Sequence, residues 1–236
     1  MSYSICLFFG VLPSVIWLLF YLRKDAHPES NRMVLRIFLY GMLIALPTAL
    51  IEMGISLGIE NLSISPLALS FIRNLLGVAL IEEFLKYLVV HEKVLDHHEF
   101  DEPLDTMLYM IISALGFAAS ENILIFLNLD QSLFFPAAVG VSIIRFVGAT
   151  FLHTLCSGAF GYFLALSFYE QKNKIKLTVL GLGIAVLLHG LYNFSIIELA
   201  RPFNELIPLV ILVGLAIFVL VGFNKLKKIK SVCKIN

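Results

Sequence analysis

Hydrophobic residues along this chain form long stretches, each separated from the next by a short polar cluster. A stretch of about 18 or more apolar residues is typical of a helix that crosses a bilayer, because about 20 residues span its hydrocarbon core. Seven such stretches lie near residues 2–22, 35–58, 67–90, 104–127, 134–168, 177–197 and 206–223. The pattern predicts an all-α, polytopic membrane helix bundle that forms a single domain over residues 1–236.

The fifth stretch, residues 134–168, is longer than a bilayer requires. Three explanations are open: the helix is strongly tilted, it extends into the cytosol, or it is broken near Gly140 or Gly148. A break would leave room for an eighth, re-entrant segment. The sequence therefore predicts about seven transmembrane helices, or eight if this stretch is divided.

The composition agrees with a membrane protein. Of the 236 residues, 59% are hydrophobic and 14% are charged, and the mean hydropathy is +0.92, whereas an average soluble domain has about 25% charged residues. Lysine plus arginine and aspartate plus glutamate both number 17, so no basic excess indicates a nucleic-acid partner. The three cysteines include no CxxC pair, which argues against a disulfide framework and against a thiolate zinc site.

Basic residues are distributed unevenly between the loops. They follow the first, fifth and seventh stretches, as Arg23, Lys24, Arg32, Arg36, Lys172, Lys174, Lys176, Lys225, Lys227, Lys228, Lys230 and Lys234. The opposite loops hold only Arg201. Because cytoplasmic loops carry an excess of lysine and arginine, the N-terminus is predicted outside and the C-terminus in the cytoplasm.

Ionisable and amide side chains interrupt four of the predicted spans. They are Glu82, Glu83 and Lys86 in the third, Glu121 and Asn122 in the fourth, Arg145 and His153 in the fifth, and His189 and Asn193 in the sixth. A charged residue at the centre of a membrane helix costs roughly 2.5–3.5 kcal/mol on insertion scales. Such a set indicates a functional site unless its members are merely paired with one another.

Helical spacing suggests how the acids in the third span divide their roles. Glu82 and Lys86 are four residues apart on one face, whereas Glu82 and Glu83 diverge by about 100°. We therefore expect Glu82, beside Lys86, to act as a general base. Glu83 is expected to orient the site by bonding Arg145 or Asn122.

The imidazoles and the amide complete a hydrolytic set. His189 and Asn193 share one helix face, and His153 adds a second imidazole from another span. A base that activates water, with imidazole or amide donors opposite it, suits hydrolysis of a peptide carbonyl. We predict that no metal or other cofactor is needed, because Lys86 would repel a cation beside Glu82. The alternative is a zinc site formed from Glu82, Glu121, His153 and His189.

Some of the polar residues also have purely structural explanations. Arg145 could be a counter-ion for Glu83 or Glu121. Glu52 and Arg73 lie toward the ends of their spans, where they are expected to pair or to reach the interface, and no catalytic role is predicted for either.

Other intramembrane protease classes lack their motifs here. Residues 140–143 read GVSI where a rhomboid-type serine site has GxSG, no HExxH is present, and the aspartates fall in loops or at span ends. Glutamate is therefore the acid that remains in mid-membrane.

Four motifs together resemble the PrsW family of bacterial membrane proteases. They are EEFLK at 82–86, GFAASEN at 116–122, Arg145 with His153, and HGLYN at 189–193. That family is similar to the type II CAAX prenyl proteases and bacteriocin-immunity proteins, which carry EExxxR, FxxxH and HxxxN. This chain has Lys86 in EExxK, and Phe151 lies only two residues before His153. Both departures favour PrsW.

The resemblance implies an endopeptidase of the bacterial cell membrane that makes the first cut in a membrane-anchored anti-sigma factor. By position it implies that Glu82, Glu83, His153, His189 and Asn193 are catalytic. Lys86, Glu121, Asn122 and Arg145 would support them. Two alternatives stay open, a proton-coupled transporter or channel and a catalytically silent immunity or escort protein, because buried Glu, His and Lys also form proton relays.

Overall fold

The computed structural model describes residues 3–24, 28–95, 97, 100, 102–128 and 134–229. These residues contain no β-strand, which confirms the all-α prediction. The helices are α1 (Tyr3–Leu22), α2 (Asn31–Ile59), α3 (Pro66–Ile72), a π-helical segment (Arg73–Ala79), α4 (Leu80–Lys93), α5 (Pro103–Leu127), α6 (Phe134–Val147), α7 (Ala149–Tyr169), α8 (Lys174–Glu198) and α9 (Phe203–Leu226).

In this part of the chain, six helices are long and apolar enough to cross a membrane: Tyr3–Leu22, Asn31–Ile59, Pro103–Leu127, Ala138–Phe168, Lys174–Glu198 and Phe203–Leu226. The third predicted span is a continuous helical stretch made of α3, the π-helical segment and α4. It is less apolar than the six because it carries the EEFLK motif. At 1.5 Å per residue it is about 40 Å long, more than the roughly 30 Å of a bilayer core. The protein is thus a multi-pass membrane protein.

The fifth predicted span is broken at Gly148. This residue has φ −101° and ψ −101° and separates α6 from α7. A Cβ there would lie 2.8 Å from the Ile144 carbonyl oxygen, so a larger residue would collide with the backbone. Trp17 of α1 stacks on Phe146 and Phe151, one on each side of the break, with ring centroids 5.0 and 4.2 Å away. Of the three explanations for the long stretch, the broken helix is the one observed.

Helix α5 is the centre of the bundle. It is buried along nearly its whole length and packs against α1, α2 and α7. Small residues bring these helices into close contact: a side chain at Gly116 of α5 would collide with the backbone of Phe38 in α2, and one at Gly161 of α7 would lie 2.7 Å from the Met107 Cα atom. This tight packing sets the rotation of each helix, and so decides which polar residues meet.

Candidate functional site

Four helices and the π-helical segment bring the polar residues together. The segment directly precedes α4, and π-helical turns are rare and frequently found at functional sites. Helix α8 approaches it closely at Gly190, where a Cβ would lie 3.0 Å from the Leu75 Cα atom. Glu82, Glu83 and Lys86 come from α4, Glu121 from α5, His153 from α7 and His189 from α8.

Lys86 lies at the centre of this group, and its side chain is fully buried. Its Nζ atom is 2.9 Å from Glu82 Oε2, 2.8 Å from Glu83 Oε1 and 2.8 Å from His153 Nδ1. An ammonium group has three N–H donors and no acceptor, so these three contacts use all of them. The ammonium also lies 4.3 Å from the centroid of the Phe117 ring. Lys86 therefore bonds Glu82, as the helical spacing predicts, and it bonds Glu83 as well.

Each histidine is oriented by a glutamate. His153 Nδ1 accepts from Lys86, so its proton is on Nε2, which donates to Glu121 Oε2 at 2.7 Å. His189 donates from Nδ1 to Glu83 Oε1 at 3.0 Å, which leaves a lone pair on its Nε2, 3.8 Å from Glu82 Oε2. These tautomers are assigned from the hydrogen-bond network. The two rings meet edge to face, 4.9 Å apart.

Glu83 is completely enclosed, and its partners differ from those predicted. Besides Lys86 and His189, its Oε2 accepts a hydrogen bond of 2.6 Å from Ser157 Oγ. The prediction that Glu83 bonds Arg145 or Asn122 is therefore wrong. Helix α4 directs Glu83 toward α7 and α8, whereas Arg145 lies at the end of α6 beside α5.

Ser157 is a site residue that the sequence reasoning missed. It lies four residues after His153, hence on the same face of α7, and this spacing was the available signal.

The other side of the group reaches the surface. The Glu121 side chain is 29% exposed, and Arg145 lies 3.4 Å from it with 16% of its own side chain exposed. Arg145 also donates to the buried Asn122, whose amide nitrogen donates to Thr150 Oγ1 at 3.2 Å. Arg145 is thus a counter-ion of Glu121, one of the two roles foreseen for it.

Two residues stand apart from this network. Asn193, one turn after His189, is half-buried, and its side chain makes no hydrogen bond to another described residue. Glu52 in α2, for which no role was predicted, has its Oε1 atom buried without a hydrogen-bond partner in the described structure.

The cluster also contains a set of potential metal ligands. Glu82, Glu83, His153 and His189 are buried, and one ligand atom of each lies within 4.8 Å of the others. Two histidines and a glutamate are a common catalytic zinc set. The Lys86 ammonium, however, lies 2.8–2.9 Å from three of these four residues. It fills the space between them with a positive charge that would repel a metal cation, so the donor set does not fit a metal while Lys86 is in place.

Comparison with known proteins identifies the family of this chain. The sequence model of a family described as "PrsW family intramembrane metalloprotease" matches residues 29–222. Protease PrsW of Geobacillus kaustophilus is 34% identical over 193 residues, which cover 81% of this chain and 80% of that protein. Protease PrsW of Bacillus subtilis is 29% identical over 226 residues, 94% of each chain. No solved structure matches. The chain therefore belongs to the PrsW family of intramembrane proteases and is a membrane endopeptidase.

Proposed function

We propose that this protein hydrolyses peptide bonds of membrane proteins by a glutamic mechanism, without a metal. The observation that carries the proposal is the position of the Lys86 ammonium in the middle of Glu82, Glu83 and His153. The positive charge of the site is then supplied by a side chain of the protein and not by a bound metal ion. Charge stabilisation that a metal would provide elsewhere comes here from a buried lysine.

Glu82 is the proposed general base. Its Oε2 atom lies 2.9 Å from the Lys86 ammonium in an ion pair, and a carboxylate is a group that can accept a proton from water. The 3.8 Å between Glu82 Oε2 and His189 Nε2 suits one water molecule that donates a hydrogen bond to each acceptor. Its oxygen lone pair is then directed at the substrate carbonyl, and Glu82 takes the water's proton as the new C–O bond forms.

In this proposal the remaining residues orient the two histidines or stabilise the charge on the reacting carbonyl. Glu83 and Glu121 hold His189 and His153 in their tautomers. The positive charge of Lys86 stabilises the negative charge that develops on the carbonyl oxygen. Asn193, one turn after His189, is the proposed amide donor to that oxygen.

The substrate is proposed to be a membrane-anchored anti-sigma factor, cut on its extracytoplasmic side in the bacterial cell membrane. The family resemblance supports this assignment, and the relatives named above come from bacteria. The proposed orientation, with the N-terminus outside and the C-terminus in the cytoplasm, follows from the distribution of basic residues.

The decisive experiment uses purified protein in proteoliposomes with a membrane-anchored anti-sigma factor. Wild-type protein should cleave it in the presence of a chelator, and Glu82→Gln should not. The family description points to the opposite result, a metalloprotease. That result would be loss of activity in chelator, recovery with added zinc, and close to one zinc per chain by elemental analysis.

A second measurement does not depend on activity. Lys86→Met removes the ammonium while keeping an unbranched side chain, so it should open the four potential ligands to zinc. We expect stoichiometric zinc in Lys86→Met and none in wild-type protein or in the control Lys93→Met, which lies at the end of the same helix. Stoichiometric zinc in the wild-type protein would contradict the metal-free mechanism.

A further inference from the structure

Glu52 lies on the inward face of α2. The buried positions of this helix recur at Gly41, Ala45 and Thr48, and Glu52 is the next position on the same face. Its side chain is half-buried, and its Oε1 atom is enclosed by protein with no partner among the described residues. A position predicted to pair or to reach the interface therefore directs a carboxyl group into the bundle.

This carboxyl is close to the proposed catalytic group. On α2, Ile55 lies against Gly77 of the π-helical segment, and Pro47 lines a cavity together with Leu88 of α4. Glu52 lies between Pro47 and Ile55 on α2, as Glu82 lies between Gly77 and Leu88, so the two glutamates are at the same level of the bundle. Helix α2 packs directly against α4, α5 and the π-helical segment. Glu52 thus approaches the cluster from α2, a helix that supplies none of the other polar groups of the cluster.

The charges around Glu52 differ from those around the other acids. Glu82 is paired with Lys86, and Glu121 with Arg145 and His153, whereas no cation contacts Glu52 in the described structure. An unpaired carboxylate inside a membrane protein is costly, so a carboxyl in that position retains its proton. Two carboxyls in such opposite environments are the arrangement from which enzymes obtain a base and an acid.

We propose that Glu52 is a further catalytic residue of the hydrolysis described above, the acid that protonates the leaving amine. The inference rests on the proposed function. Water forms the new C–O bond and gives one proton to Glu82. The C–N bond then breaks as Glu52 gives its proton to the amine nitrogen. Once the products leave, Glu82 releases its proton to water and Glu52 takes up a proton from water. One water is consumed, and both carboxyls recover their starting forms.

A separate acid is needed because Glu82 is tightly held. Its Oε2 atom bonds Lys86 at 2.9 Å and lies 3.4 Å from His153 Nδ1 and 3.8 Å from His189 Nε2. Carrying a proton from the water to the amine would require this side chain to leave its partners. Glu52 has no hydrogen bond at Oε1 to break.

The test compares Glu52→Gln with Glu60→Gln, an exposed carboxyl just after the end of the same helix. Glutamine has the shape of the neutral acid, so the thermal unfolding temperature should stay unchanged. With the substrate of the proteoliposome assay, Glu52→Gln should lower kcat about 100-fold with little change in KM. Glu52→Asp should recover part of the loss, and Glu60→Gln should match the wild type.

Infrared spectroscopy tests the same assignment without a substrate. At neutral pH the wild type and Glu60→Gln should show the carbonyl band of a protonated carboxylic acid, and Glu52→Gln should lack it. An unchanged band, or an unchanged kcat in a Glu52→Gln protein whose wild-type parent is active, overturns the role of Glu52 and leaves the proposed function standing. A wild-type protein that cleaves no membrane-anchored substrate overturns the proposed function, and this assignment with it.

Discussion

The buried cluster has two unlike ends. At one end, called here the enclosed end, Glu83 is fully buried and is bonded by Lys86, His189 and Ser157. At the other, called here the open end, the Glu121 side chain is 29% exposed and has the partly exposed Arg145 beside it. Both ends hold a glutamate that orients a histidine, yet only one of them is reachable from outside the protein.

The enclosed end is therefore the rigid part of the cluster, and the open end is its accessible part. A buried carboxylate with every neighbour supplied by the protein holds His189 in one orientation, because leaving any partner unpaired there is costly. A partly exposed carboxylate tolerates change, since exposed ion pairs contribute only about 0–1 kcal/mol. Glu82 lies between the two ends, where a group fixed from one side can meet water and substrate entering from the other.

The largest effect is expected at Glu82 itself. Glu82→Gln removes the proposed base and should lower turnover by on the order of 10⁴-fold, and Glu82→Asp should retain little activity because placement matters steeply. The measurement is the cleavage rate in proteoliposomes, with the exposed Glu92→Gln of the same helix as control. If Glu83→Gln is inactive while Glu82→Gln works normally, the base belongs to the enclosed end instead.

The second largest effect is expected at Asn193, although this residue belongs to neither end of the cluster. Asn193→Ala should lower turnover by about 10²–10³-fold with little change in substrate affinity, because an oxyanion donor acts in the transition state. Steady-state kinetics separate the two parameters. A variant with unchanged kcat would remove Asn193 from the mechanism, and the positive charge of Lys86 would then be the remaining stabilisation of the oxyanion.

Ser157→Ala probes the rigidity of the enclosed end. It deprives Glu83 Oε2 of a 2.6 Å hydrogen bond, and bonds to charged groups contribute about 1.5–3 kcal/mol. Thermal or denaturant unfolding in detergent should show a loss of that size. The control is Ser167→Ala, on the same helix, whose hydroxyl bonds the Leu164 carbonyl one turn earlier and whose removal should have a smaller effect.

Glu121→Gln probes the open end. Glutamine keeps an oxygen that accepts from His153 Nε2, and the ion pair that it removes is partly exposed, so the stability loss should stay below about 1 kcal/mol. The same unfolding assay measures it. A loss larger than that of Ser157→Ala would reverse the comparison and make the open end the rigid one.

The smallest perturbation tests the orientation of the chain in the membrane, and with it the side from which substrate reaches the cluster. The other two cysteines, Cys6 and Cys156, are buried, so an impermeant thiol reagent should report on Cys233, which lies outside the described residues. We expect Cys233 to be protected in intact cells and modified after lysis. Ready modification in intact cells would invert the orientation and the direction of substrate approach.

Much of the fold follows from local sequence. The apolar stretches predict the helices because spanning a bilayer requires an uninterrupted apolar length. The break at Gly148 was one of the foreseen explanations for an overlong span, and glycine is required where α7 begins beside Ile144. The pairing of Glu82 with Lys86 also follows from helical spacing alone, as a contact of residues four apart.

Contacts between residues on different helices were predicted less well from the sequence. The sequence offered Glu121 as one of two partners for Arg145, but it assigned Glu83 the wrong partners and left Ser157 and Glu52 outside the site. Such contacts depend on the rotation and approach of whole helices. These in turn depend on close packing at Gly116, Gly161 and Gly190, and on the π-helical segment before α4.

The sequence by itself thus determined that the chain crosses the membrane repeatedly and that its mid-membrane acids are glutamates, because both properties are written in residue type and spacing along one helix. Only the tertiary structure decided that Lys86, which is within helical reach of both glutamates, also bonds His153, and that Glu52 turns toward them. Those facts join residues on different helices, and no periodicity along one chain segment encodes the angle at which two helices meet.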